Sequence, residues 1–220
     1  MHTRKRPNNF SGKFDHESKA MGAGYRRVAG VDEAGRGPLA GPVVAAAVVV
    51  RDVAFIERID DSKKLTERMR ERAYIDIIKR CDVGIGMVGV ELIDKVNIYN
   101  ATLLAMKRAI EELEEVPDYL LIDGRMDISV PQKRSYLLRG ESQSTSIACA
   151  SIIAKVFRDK LMIEEDEKFP QYGFQRHKGY GTRQHMEAIR RCGLSPIHRK
   201  TFGPFGGRRA AEKRKGNDGL

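Results

Sequence analysis

The chain has 220 residues, a formal charge of +10 and a pI near 9.6, which fits one or two domains and suits a polyanionic partner. Its apolar share of 41% excludes a disordered chain, and no apolar stretch approaches the ~20 residues of a membrane span. Cys81, Cys149 and Cys192 lack metal-ligand spacing, and the basic N-terminus leads into no apolar signal region, so a reduced, cytoplasmic protein is expected.

Residues 1–24 are basic and rich in Gly, Pro and Asn, and are expected to form a flexible arm. A strand should run from about Arg26 to Asp32, and the uninterrupted Val and Ala of Val43–Val50 suit a strand buried on both faces. Residues 66–81 repeat apolar positions at helical spacing behind Thr66 as a cap, and residues 83–90 read as a strand. Gly84, Gly86 and Gly89 match G-x-G-x-x-G literally. Apolar residues alternate with them, however, so they belong inside the strand, where another backbone comes close. Asn97 should cap a helix from Ile98 to Glu115, Pro117 breaks it, and DYLLIDG is a short buried strand ending at Asp123 and Gly124. A further strand at 134–139 and helices at 144–167 and 182–192 complete the pattern. Strands mixed with helices and followed mostly by helices predict a mixed α/β core with a smaller helical C-terminal part, about 168–205. Residues 206–220 are expected to be a flexible basic tail.

The segment GVDEAGRGPLAG places Asp32 and Glu33 at the end of an apolar run, next to a glycine-rich turn. Asp32 and Asp123 both close predicted strands, the edge at which open α/β sheets hold ligands. In the long helix, Ser151, Lys155 and Asp159 share one face at i, i+4, i+8 spacing; taken alone, Asp159 reads as an ion pair with Lys155. Taken together, four acids could converge on two divalent cations, and carboxylate oxygens suit Mg²⁺ better than the scattered histidines do. Adjacent strand residues point to opposite faces, so Asp32 and Glu33 can both ligate only where the strand ends, or if one uses its carbonyl. Charge supports a phosphate substrate: residues 31–124 carry 13 bases against 18 acids, whereas residues 176–200 carry seven bases against one acid.

These segments resemble the type 2 ribonucleases H, the ribonuclease HII family, over about residues 26–204. The resemblance rests on GVDEAGRGPLAGPVV, DDSKKLTE, VNIYNATLLAM, LLIDG, SIIAKVFRD, FPQYGFQRHKGYGT and SPIHRKTFGP in the family's order. It implies a ribonuclease H-like mixed sheet flanked by helices. The implied catalytic and metal-binding acids are Asp32, Glu33, Asp123 and Asp159, holding two Mg²⁺ or Mn²⁺ ions. It also implies that Gly35, Arg36 and Gly37 sense the ribonucleotide 2′-hydroxyl and that Tyr180 packs against the ribose. From the residues themselves, Lys63 and Lys64 in DSKKL are candidates for phosphate contact, and Ser151 for substrate contact. One departure is Glu141, in a GES triplet where the family usually has Asp. The implied substrates are RNA–DNA hybrids and duplex DNA containing ribonucleotides, cut to 3′-hydroxyl and 5′-phosphate ends by a chain expected to be a monomer. A sliding-clamp-type partner is left open. The readings from other classes are a nucleic-acid binder with structural acids and a junction resolvase; cleavage at a lone ribonucleotide separates them.

Overall fold

The computed structural model describes residues 13–203, so the expected basic tail at 206–220 and residues 1–12 lie outside the described residues. Five strands, β1 (Val28–Ala34), β2 (Val43–Val50), β3 (Cys81–Val88), β4 (Tyr119–Asp123) and β5 (Lys133–Leu137), form one sheet in the order β3-β2-β1-β4-β5. The β1–β2 and β2–β3 pairs are antiparallel, and β1–β4 and β4–β5 are parallel. This is the expected mixed α/β architecture.

The apolar run of β2 has a physical reason: the strand is hydrogen-bonded on both sides and covered on both faces. Helix α3 (Val90–Glu111) packs on the face carrying Ala29, Val31, Ala45 and Ala47. On the other face, Val44, Ala46 and Val48 meet α2 (Glu67–Arg80) and α4 (Thr145–Lys168). The glycines of GIGMVG do lie inside β3. A Cβ on Gly84 or Gly86 would run into the carbonyl oxygens of Ala109 and Ala105, so α3 can sit this close only over glycine. Helices α5 (Phe174–His177) and α6 (Arg183–Cys192) build a small satellite core from Met162, Tyr172, Phe174 and Ala188.

Three local expectations change. Residues 13–24 are not wholly a flexible arm, because Asp15–Gly22 forms helix α1 with Glu17 and Ala20 buried. Glu17 Oε1 accepts the Ser146 amide at 2.9 Å and the Ser144 hydroxyl at 2.6 Å, so α1 caps the start of α4 from a distant part of the chain. Asn97, at φ 68° and ψ 167°, caps the helix from Ile98 as expected, accepting the Asn100 amide at 3.1 Å, but a further helical segment from Val90 precedes that kink and α3 ends at Glu111 rather than Glu115. Strand β1 continues past Asp32 to Ala34, still paired to β2. No helix among the described residues is long and apolar enough to cross a membrane.

Candidate active site

The parallel β1–β4 ladder ends at the Val31–Ile122 pair. Asp32 and Asp123 are the next residues on the two strands, and parallel neighbours at equal register point to the same face, about 4.8 Å apart at the backbone. Asp32 is 7% exposed. Burial, and after it the charges of Glu33 and Asp123, raise its carboxyl well above the usual range; bonds from the Glu33 amide and the Ser151 hydroxyl oppose that rise. Ser151 in turn lies 2.9 Å from the Ser62 hydroxyl, which docks the short 3-10 turn Ser62–Lys64 on α4. Glu33 takes Arg36 at 3.2 Å.

Beyond β5 the chain makes a second 3-10 turn, Gly140–Ser142, and its first amide donates to Asp123 Oδ1 at 2.6 Å. A Cβ at residue 140 would press on the tip of Ile147 and crowd Leu137 and Asp123 Oδ1. Glu141 follows, 8% exposed, with Oε2 buried and lacking a hydrogen-bond partner. Burial raises its carboxyl, and the charges of Asp123 and Asp61 add to that rise. Lys63 belongs to the same cluster: burial works against its charge, but Asp61, Glu141, Asp32 and Asp123 outweigh burial and raise its pKa. The structure thus groups Asp32, Glu33, Asp123, Glu141 and Lys63.

Glu141, in sequence only a departure from the family's Asp, lies beside Asp123 in the fold. Its signal was an acid between a strand and the Ser144 cap of the longest helix, at the sheet edge that carries Asp123.

Asp159 is not brought into that group in the same way. Its Oδ1 accepts Lys155 Nζ at 2.7 Å, and it lines a recess between α2 and α4 with Glu67 and Arg70. Eight residues of helix separate it from Ser151, a rise of about 12 Å along α4 from the level of Asp32.

The Gly35–Gly37 turn lies beside the acids. Gly35 has φ +92°, a conformation that favours glycine, and has no room for a Cβ against Arg158. The Arg199 guanidinium, fully buried, donates to the carbonyls of Gly35 at 2.5 Å, Arg36 at 3.0 Å and Gly41 at 2.9 Å. Arg158 clamps the carbonyls of Ala40, Pro42 and Lys178 at 2.9–3.0 Å. Burial, and then the nearby Arg158 charge, lower the Arg199 pKa to about 9. Tyr180, 44% exposed, faces the turn: its Cε1 lies 3.7 Å from where a Cβ on Gly37 would sit.

The ribonuclease HII family model matches residues 29–204. The chain belongs to the ribonuclease HII family. Ribonuclease HII of Acetivibrio thermocellus is 52% identical over 189 residues, covering 85% of this chain and 73% of that protein. Ribonuclease HII of Geobacter sulfurreducens is 51% identical, with 86% and 88% covered. Among solved structures, ribonuclease H2 from Pyrococcus horikoshii superposes with a TM-score of 0.69 at 27% identity, covering 87% of this chain and 100% of that one. A ribonuclease HII from Archaeoglobus fulgidus, solved in complex with PCNA, gives 0.67 at 25% identity, with 81% and 96% covered. As a ribonuclease HII, the protein is an endoribonuclease acting on the RNA of RNA–DNA hybrids.

The chemistry of the acid group fits a hard divalent cation: its donors are all oxygen, its negative charges repel one another, and Glu141 keeps one oxygen free. Among the described residues, no three acid, His or Cys side chains already close on one point. Ligation therefore requires carboxylates to turn, Glu33 away from Arg36 in particular.

Proposed function

We propose that this ribonuclease HII cuts the RNA strand of hybrids and also cuts at single ribonucleotides in duplex DNA, using Asp32, Glu33, Asp123 and Glu141 as its acids. The observation that carries the reading is the grouping of these acids at one sheet edge, beside the Gly35–Gly37 turn and the Tyr180 ring. For the fourth acid, Glu141, buried and with its Oε2 unpartnered, is preferred to Asp159, whose Oδ1 is taken by Lys155.

Two Mg²⁺ or Mn²⁺ ions, when bound, supply an activated water and charge stabilisation at both ends of an in-line displacement. Asp32 and Asp123, adjacent on β1 and β4, present carboxylate oxygens from a rigid sheet edge, and Glu33 and Glu141 add charge from the flanking backbone. Lys63, held cationic by four surrounding acids, is suited to a non-bridging phosphate oxygen. The Gly35–Gly37 turn, its carbonyls fixed by Arg199, offers backbone groups at close approach to a sugar, and the 2′-hydroxyl is the group that separates RNA from DNA there. Tyr180 supplies a flat apolar face for the ribose. Cleavage leaves a 3′-hydroxyl and a 5′-phosphate. Ser151 acts on Asp32 rather than on substrate.

The catalytic unit in this reading runs to about residue 205 and includes α1. The PCNA complex of the Archaeoglobus relative makes a sliding clamp a candidate partner here too. The test is cleavage of a duplex with one embedded ribonucleotide, with Mg²⁺ or Mn²⁺ and with chelator. Metal-dependent incision at the ribonucleotide supports the reading; an intact duplex, or cutting that ignores the 2′-hydroxyl, rejects it.

A further inference from the structure

His177, His185 and His198 come from a basic segment whose spacing gives no metal site, and they are 8%, 0% and 1% exposed. His177 stacks on His185 with ring centroids 4.4 Å apart, and His198 lies tilted against His185 at 5.2 Å. Their hydrogen-bond partners fix which nitrogen carries each proton. A backbone N–H can only donate, so a ring nitrogen facing one must accept. The Ser195 amide points at His198 Nδ1 at 2.9 Å, and the Ser195 hydroxyl lies 2.8 Å from the same atom. In neutral His198 the proton therefore sits on Nε2, which faces His185 Nε2 at 3.0 Å. His185 Nε2 must accept, which moves its proton to Nδ1, 2.9 Å from the Tyr180 carbonyl oxygen. By the same logic the Gly179 amide faces His177 Nδ1 at 3.3 Å, and His177 Nε2–H donates to the Tyr172 carbonyl at 2.9 Å.

The chain of donors thus has one direction, from Ser195 through His198 and His185 to the backbone of Tyr180. It ends at the carbonyl of Tyr180, a residue whose exposed ring lies beside Gly37 and whose main chain is otherwise held by short local bonds. The Tyr180 amide donates to His177 O at 2.9 Å, and Thr182 N–H donates to Tyr180 O at 2.8 Å. Next to it, Leu39 N–H donates to Gly179 O at 2.8 Å, tying this segment to the turn after Gly37. A flat side chain in solvent keeps its rotamer and tilt only as well as its backbone is fixed, so a buried relay beneath it pre-organises the ring.

We propose that His185 is a positioning residue for Tyr180, the terminal donor of a directed relay of neutral histidines that sets how the ring meets the sugar. This rests on the reading of Tyr180 as the ribose-packing surface. The relay tunes selectivity for a lone ribonucleotide, where one register must be held, more than cleavage of a long hybrid.

Two substitutions divide the relay. In His185→Asn the amide nitrogen falls near the position of Nδ1 and keeps the donor to Tyr180. In His185→Gln it falls near Nε2 and loses that donor. His185→Gln is expected to lower kcat/KM for a duplex with one ribonucleotide about 10-fold, and long-hybrid cleavage by less, with His185→Asn recovering most of the loss. On a Tyr180→Ala background, His185→Gln should add nothing further. Nitrogen-15 spectra of the wild-type protein provide a readout independent of any variant's folding: His185 should be protonated on Nδ1 and His198 on Nε2. A His185 proton on Nε2, equal losses for the Asn and Gln variants, or losses that multiply with Tyr180→Ala overturn the relay. Unchanged selectivity in Tyr180→Ala alone rejects the ribose-packing reading, and the relay's link to selectivity falls with it.

Discussion

The Gly140 amide donates to Asp123 Oδ1 at 2.6 Å, so the turn that carries Glu141 is anchored on the carboxylate at the end of β4. Glu141 is therefore brought beside Asp123 by backbone geometry, although it is 18 positions from Asp123 in sequence. Asp159, on α4, is held by Lys155. Glu141→Gln should lower the cleavage rate on the order of 10²-fold or more, since it removes one charge from the site. Asp159→Asn should leave the rate within a few-fold of wild type. Steady-state kinetics with Mn²⁺ on both variants checks this, and the opposite ranking restores Asp159 as the fourth acid.

Much of this was legible beforehand, and the misses have identifiable causes. The unbroken apolar run of Val43–Val50 marked a central strand, and alternation around Gly84 and Gly86 placed them within β3, against α3. Thr66 caps α2 as expected, accepting the Met69 amide at 3.3 Å. The i, i+4, i+8 spacing did report the Lys155–Asp159 pair, but spacing gives the face of a helix and not the level along its axis, so the distance of Asp159 from Asp32 was not legible. Glu141 stood out in the sequence only as a departure in its GES triplet, because a loop residue has no periodicity and only the fold brings it to Asp123. Helix α1 was invisible because its anchor, Glu17, is a polar residue whose partners at Ser144 and Ser146 lie far away in sequence.

That anchor has an energetic consequence. Glu17 is 1% exposed, its Oε1 accepts three hydrogen bonds at the start of α4, and its Oε2 has none. Glu17→Ala should destabilise the protein by about 1–3 kcal/mol, because the donors of Ser144 and Ser146 lose their acceptor. Urea unfolding of the two proteins measures this; equal midpoints would mean that α1 is not a cap.

Crowding of the acids implies a conflict between stability and activity. Without bound cations, Asp32 is buried among like charges, so Asp32→Asn should raise stability by about 1 kcal/mol in chelator while abolishing cleavage. A thermal melt in chelator showing an unchanged or lower midpoint contradicts the claim that these carboxylates repel.

The histidine cluster sets an acid limit. Burial, and then His185, lower the His198 pKa from 6.5 to about 4, and burial also lowers His177 and His185. As pH falls, the unfolded chain takes up these protons first. The stabilisation from the neutral rings is therefore present above pH 6.5 and is lost as pH falls toward 4. His198→Gln should flatten the pH dependence of urea midpoints between pH 7 and pH 4.5. Parallel profiles for the two proteins would place the acid sensitivity elsewhere.

The central claim is that Asp123 and its neighbours act on substrate through bound divalent cations and not merely as structural charges. The most direct measurement is single-turnover cleavage of an RNA–DNA hybrid by Asp123→Asn, with hybrid affinity measured alongside. The substitution keeps the size of the side chain and removes one ligand charge. Cleavage should be lost with either Mg²⁺ or Mn²⁺, with affinity close to wild type. Near-normal turnover in Mg²⁺ would contradict the claim.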